Sequence, residues 1–308
     1  MTLGHKRQKE YFRRVLEKGA LAHAYLFYGP EAIGKFTFAR EIAKPLICLE
    51  KKELGEECEC KSCSQVEQNS HQFVTILDTT HTLVSKKEKR KEIPIEDIRE
   101  LKRLFSLSAP GGQWRIAIIN QAEKMNDEAA NAFLKLLEEP GERTVFFLIA
   151  SGKDILLPTV VSRAQGIGFS YVSLKDLSAY LTPRVRDTGK REEILMLSFG
   201  RPGEMIRLIK DEEYFEREKK FVKALETALT GGVPQIFKFT EKTAADEDSR
   251  FKAGFLAMRF LRQTLIANPD PALVSAIKRT HKVFMALEST NVNPRLALDV
   301  LLLEASIK

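Results

Sequence analysis

The chain has 308 residues, a formal net charge of +7, 44% hydrophobic and 30% charged residues. That length predicts two or three domains with a sizeable core, and the composition is that of a globular protein. No apolar run reaches the length of a membrane span and no signal core follows Met1, so a cytoplasmic, non-membrane protein is expected. The basic excess permits contact with nucleic acid without requiring it.

In chain order, residues 24–28 (Ala-Tyr-Leu-Phe-Tyr) read as a buried strand, and Phe36 to Ile47 as a helix. Between them lies Gly29-Pro30-Glu31-Ala32-Ile33-Gly34-Lys35, a phosphate-binding loop. In such loops backbone N–H groups cradle phosphates, the Lys reaches the β- and γ-phosphates and the next Ser or Thr ligates Mg²⁺. Here that next residue is Phe36, and Thr37 is one position late, turned about 100° round the helix. Gly29, Gly34 and Lys35 are therefore candidate nucleotide contacts without a hydroxyl for the metal.

All four cysteines fall in one insert, Cys48, Cys58, Cys60 and Cys63, spaced C-x9-C-x-C-x2-C. Four thiolates on a short polar loop suit a structural, tetrahedral Zn²⁺, and coordination would order a segment too polar to hold itself by burial. The single residue between Cys58 and Cys60 is unusual, His71 is a conceivable substitute ligand, and free or redox-active thiols are the alternative.

Lys86-Lys87-Glu88-Lys89-Arg90-Lys91 is the densest basic run, read as a solvated loop or a phosphate-backbone contact. It precedes Pro94 and a helix from Ile95 to Leu104. After the turn Ala109-Pro110-Gly111-Gly112, Arg115 to Asn120 reads as a second buried strand. In a nucleotide-hydrolysing protein of this kind the strand ends in an Asp that helps hold Mg²⁺, often followed by a Glu that activates water. Asn120 and Gln121 stand there instead, and the next acid, Glu123, lies beyond the strand end. Hydrolysis at this chain's own site is not expected.

Asn126 or Asp127 can cap a helix from Glu128 to Glu139, which Pro140-Gly141 stops. Thr144 to Ala150 reads as a third strand, ending in Ser151, either a strand-end cap or a polar group facing the phosphates. In Pro158-Thr159-Val160-Val161-Ser162-Arg163, the arginine is by default a surface residue. Chemically it is also the group suited to clamp transferring phosphoryl oxygens, from a neighbouring subunit if need be.

Together these residues carry a resemblance. His23-Ala24-Tyr25-Leu26-Phe27, Gly29-Pro30, Gly34-Lys35, the cysteine insert, the run Ala129 to Pro140 and Pro158-Thr159 with Ser162-Arg163 resemble bacterial DNA polymerase III clamp-loader subunits, which are AAA+ proteins, the delta-prime type most of all. The tail Asn291 to Leu298 is similar too. The resemblance implies an α/β AAA+ P-loop domain with a parallel sheet over residues 1–170, the zinc insert at about 48–63 within it, a helical lid at 171–210 and an all-α collar at 211–308. It implies a hetero-pentamer with gamma/tau motor and delta subunits, acting on a sliding clamp and primer-template DNA. It further implies a stator without competent ATPase whose Ser162-Arg163 pair offers Arg163 to a neighbour's ATP. Ala164 departs from the Cys common after that pair. Asn120-Gln121 departs from the acidic pair of the motor subunits, which favours the stator over the alternative, an autonomous gamma/tau-like ATPase. Whether ATP still binds at Lys35 stays open.

Beyond residue 170, Gly200-Arg201-Pro202-Gly203 marks the lid, whose Arg201 and Arg207 are expected to be solvated charges in preference to phosphate contacts. From Asp211 the pattern is helical: Phe215, Val222, Leu225 and Leu229 share a face ended by Gly231-Gly232. Phe251–Ala267, Ala272–Leu287 and Pro294–Ala305 follow, the last with Asn293 as cap. Assembly is the expected task of this part.

Overall fold

A computed structural model describes residues 2–84, 90–106, 112–289 and 292–306. Lys86 to Lys89 of the basic run, Ala109 to Gly111 of the turn and Asn291 of the tail lie outside the described residues. The chain divides into two compact units, Met1–Lys210 and Asp211–Lys308.

The first unit is built on five parallel strands in the order β2-β3-β4-β1-β5. These are β1 (Ala24–Tyr28), β2 (Val74–Leu77), β3 (Arg115–Asn120), β4 (Thr144–Ala150) and β5 (Gln165–Gly168). Strand periodicity splits the core in two. Tyr25, Phe27, Ile116, Ile118, Val145, Phe147 and Ile149 face one side, with Phe12 of α1 (Lys6–Glu17) and Phe38, Ala39 and Ile42 of α2 (Lys35–Ile47). Leu26, Ala117, Ile119, Phe146 and Leu148 face the other, with Ile98 and Leu101 of α4 (Ile95–Ser106) and Phe133, Leu136 and Leu137 of α5 (Asp127–Glu138). Helices on both faces force the inner strands to be apolar throughout, and all seven residues of β4 are buried.

Local signals set the helix ends. Asn126 caps α5 by accepting from the Ala129 N–H at 2.9 Å, so the first of the two candidate caps is the one used. The short α3 (Lys61–Glu67) and the strand β2 carry too little periodicity to be read from sequence. The insert is also less dependent on a metal than its composition implies, because Leu54 and Val66 join the core on the α2 side. Arg40 adds a hydrogen bond to the Glu67 carbonyl at 2.8 Å, and Lys44 pairs with the Glu67 carboxylate. After the four-residue α6 (Pro158–Val161) come α7 (Leu174–Leu181), α8 (Thr188–Ser198) and α9 (Pro202–Lys210).

The second unit is helical: α10 (Glu212–Gly231), α11 (Val233–Thr243), α12 (Glu247–Ala267), α13 (Pro271–Ser289) and α14 (Pro294–Ala305). Asp211 caps α10 through the Tyr214 N–H, and Asn293 caps α14 through Arg295 and Leu296. Gly232 turns the chain between α10 and α11 at φ +86°. Gly254 lets α12 approach α13, where a Cβ would sit 2.4 Å from the Phe284 ring. A buried Lys252–Glu218 pair at 2.9 Å, joined by the Tyr214 hydroxyl, links α12 to α10.

Candidate functional site

The phosphate loop leaves the C-terminal end of β1. Gly29 sits at φ +139°, and a Cβ there would lie 2.2 Å from the Phe169 carbonyl oxygen. Only glycine fits. Gly34, at φ +101°, precedes the first turn of α2. Lys35 is 6% exposed, and its Nζ donates to the carbonyls of Gly29 and, at 2.7 Å, Pro30. Burial lowers its pKa to about 8, against the opposing carboxylates of Glu31 and Glu123.

The rest of the loop is bound by its own chain as well. His5 Nε2 lies 2.8 Å from the Ile33 carbonyl, and the Gly203 N–H at the start of α9 donates to the Ala32 carbonyl at 2.8 Å. A Cβ on Gly203 would stand 2.9 Å from that same oxygen, so α9 meets the loop by backbone contact. Phe36 packs on the core and lies under the Arg40 guanidinium, 5.7 Å from ring centroid to Cζ, while Thr37 is exposed. Neither offers a hydroxyl to the loop.

At the end of β3, Gln121 takes φ +57° and its amide oxygen accepts from Thr79 Oγ1 at 3.1 Å. Glu123 is closer to the loop than its sequence position implies. The 3-10 turn Ala122–Lys124 folds it back, Ser151 Oγ donates to its Oε1 at 3.3 Å, and its charge is felt at Lys35. Its Oε2 is buried with no hydrogen-bond partner among the described residues. Ser151 is thus tied to this acid at the loop end of the sheet.

The four cysteine sulfurs lie within 4.8 Å of one another. Cys48 ends α2, Cys58 and Cys60 lie on the following loop, and Cys63 stands in the first turn of α3. The short Cys58-x-Cys60 spacing does not keep the two apart from the others: both sulfurs join the cluster, with Cys60 as the N-cap residue of α3. Cys48 Sγ is 3.6 Å from Cys58 Sγ and 4.0 Å from Cys60 Sγ. A tetrahedron with bonds of about 2.3 Å has edges of roughly 3.8 Å, so these thiols fit Zn²⁺. Their acidities diverge. For Cys60, burial opposes ionisation, yet the N–H groups of Cys63 and Leu49 and the neighbouring thiols donate to its sulfur and bring it down to about 6. Burial pushes Cys63 up. His71 is not part of the cluster: its Nδ1 accepts from the Phe73 N–H at 3.2 Å.

Arg163 lies elsewhere. It stands two residues before Gln165, which pairs with Tyr25 near the start of β1, whereas the loop leaves after Tyr28, which pairs with Gly168. Five residues of strand rise roughly 16 Å, beyond the reach of one side chain. Arg163 is exposed; its Nη2 donates to Glu138 Oε1 at 2.7 Å and its Nη1 to the Thr159 carbonyl at 3.1 Å. Ser162 Oγ donates to the same Thr159 carbonyl at 3.0 Å, within its own turn of helix. Ala164 packs against the core.

The sequence profile of the family described as DNA polymerase III, delta subunit, matches residues 4–173, more than half of the chain. The chain belongs to that family. It is a clamp-loader subunit of the AAA+ family, and curated delta-prime relatives agree. DNA polymerase III subunit delta' of Pseudomonas aeruginosa is 35% identical over 59% of this chain and 54% of its own length. Its Bacillus subtilis counterpart is 29% identical over 73% of this chain and 68% of its own length. Subunit tau of Escherichia coli is 25% identical over 76% of this chain but 31% of its own length. The chain therefore spans about half to two thirds of the delta' relatives.

For this clamp-loader subunit, Arg201 departs from the sequence reading. Arg201 is 7% exposed, its guanidinium 5.6 Å from the Phe199 ring centroid, so it is a buried residue and not a solvated charge; Arg207 is exposed. Glu123 shares the loop's electrostatic field although it follows the strand. A left-handed residue before a 3-10 turn is the device that brings it back, and Gln121 carries no sequence signal for it. Arg90 of the basic run faces the buried carboxylate of Asp97 at 3.7 Å, which leaves that part of the run less free than a solvated loop.

Proposed function

We propose that this chain is a delta-prime-like stator of the DNA polymerase III clamp loader, lacking an ATPase of its own and lending Arg163 to the ATP of an adjacent motor subunit. One observation carries the reading. Arg163 is an exposed guanidinium at the end of the sheet opposite its own phosphate loop, so any phosphate it serves belongs to another subunit. The loop end supports the same reading, because Phe36, Asn120 and Gln121 supply neither a metal ligand of the usual kind nor a base. Partners are then gamma/tau motors and a delta subunit in a hetero-pentamer, with the sliding clamp and primer-template DNA reached through the complex, in the cytoplasm. Among the described residues no helix is long and apolar enough to cross a membrane.

Cys48, Cys58, Cys60 and Cys63 hold a structural Zn²⁺ in this proposal, tying the end of α2 to α3. Protein purified without chelator should carry near-stoichiometric zinc by metal analysis, and its absence would remove the site.

The deciding experiment reconstitutes the loader with motor and delta subunits. Arg163→Ala should preserve folding and assembly yet depress ATP turnover, and full turnover would reject the assignment. A second reading, an autonomous motor, draws on one observation: Glu123 offers a buried carboxylate oxygen near Lys35. It requires ATP turnover by the isolated chain that Lys35→Ala abolishes.

A further inference from the structure

Arginine has four side-chain torsions and, unheld, spreads its charge over a wide volume; a group that must meet a neighbour's phosphate gains from being aimed beforehand. Here the aim is built in. The guanidinium of Arg163 is held by two elements, through Nη2 to Glu138 Oε1 at 2.7 Å and through Nη1 to the Thr159 carbonyl at 3.1 Å. Glu138 is the last residue of α5, where the free carbonyls of a helix terminus also favour a cation. Both anchors are rooted in the core: α5 by Phe133, Leu136 and Leu137, and α6 by Val160.

We infer that Glu138 is the positioning residue of Arg163. The inference rests on the reading of Arg163 as the donated arginine. Two of the five guanidinium N–H groups are used by these anchors, and three are left to donate to phosphoryl oxygens. The Glu138 and Arg163 side chains are 50% and 37% exposed, so solvent screens the pair. It biases the side chain toward one direction without locking it, and the guanidinium keeps the freedom to shift onto a phosphate. Thr159, whose carbonyl also accepts from Ser162 Oγ, makes the second anchor a backbone group that no side-chain change removes.

The test uses the reconstituted loader with ATP as substrate. Glu138→Ala should lower kcat about two- to five-fold, the range open to an exposed ion pair, and leave KM for ATP unchanged. Glu138→Gln, whose amide oxygen still accepts from Nη2, should restore most of the loss. A double variant of Glu138→Ala with Arg163→Ala should be no slower than Arg163→Ala alone. Unchanged kcat in Glu138→Ala, equal loss in the Ala and Gln variants, additive loss in the double, or failed assembly would each overturn the inference while the arginine reading stands. Full turnover with Arg163→Ala would overturn both.

Discussion

The two ends of one sheet differ in how their charged groups are satisfied. At the C-terminal end the phosphate loop is held by its own chain: Lys35 by Gly29 and Pro30, Ile33 by His5, Ala32 by Gly203. At the N-terminal end Arg163 is exposed, on one carboxylate and one carbonyl. A cation buried among internal acceptors is a fold-holding group, while an exposed one on weak anchors is available to a partner. The same P-loop architecture can therefore lose its own chemistry and still present a guanidinium elsewhere, because the two sites share strands but no side chains.

The largest expected effect separates the ends directly. If the proposed role holds, in the reconstituted complex Arg163→Ala should cut ATP hydrolysis by about 10³-fold or more, the range known for arginines supplied in trans. Lys35→Ala should leave that rate unchanged, and equal losses from both variants would erase the distinction.

Gly29→Ala should act on stability alone. Its Cβ would meet the Phe169 carbonyl at 2.2 Å in a backbone conformation that L residues rarely adopt, so a loss on the order of 3 kcal/mol is expected. Chemical denaturation measures it, and a near-neutral change would show that the loop tolerates a shift.

The smallest effect sharpens the account of Lys35. Its folded pKa of about 8 lies below the 10.5 of the unfolded chain. Between those values the unfolded state binds the extra proton, so stability rises with pH there and the cost of burying the charge fades. Below pH 8 both states are protonated and the full cost remains. The unfolding free energy, read from denaturant titrations, should climb from about pH 8 to 10.5 by on the order of 1–3 kcal/mol, and Lys35→Met should flatten that climb.

Much of this was legible beforehand. The strands β1, β3 and β4, the phosphate loop, the cysteine insert and the caps at Asn126 and Asn293 each rest on chemistry within a few neighbouring residues. Short or mixed elements were not: α3, β2, β5 and α11 are stabilised by what they pack on. The burial of Arg201 was not legible for a related cause, since the burial of a charged side chain depends on residues far away in the chain.

By itself the sequence determined the loss of the hydroxyl at Phe36 and of the acids at Asn120 and Gln121, because residue identity alone decides which atoms can ligate or accept a proton. It also determined the four thiols. Only the tertiary structure decided that those sulfurs meet within 4.8 Å, that the Gly203 N–H reaches the Ala32 carbonyl, and that Arg163 stands on Glu138 at the far end from its own loop. Those facts depend on strand register and helix packing, where contacts between residues distant in sequence set position and local propensity has no say.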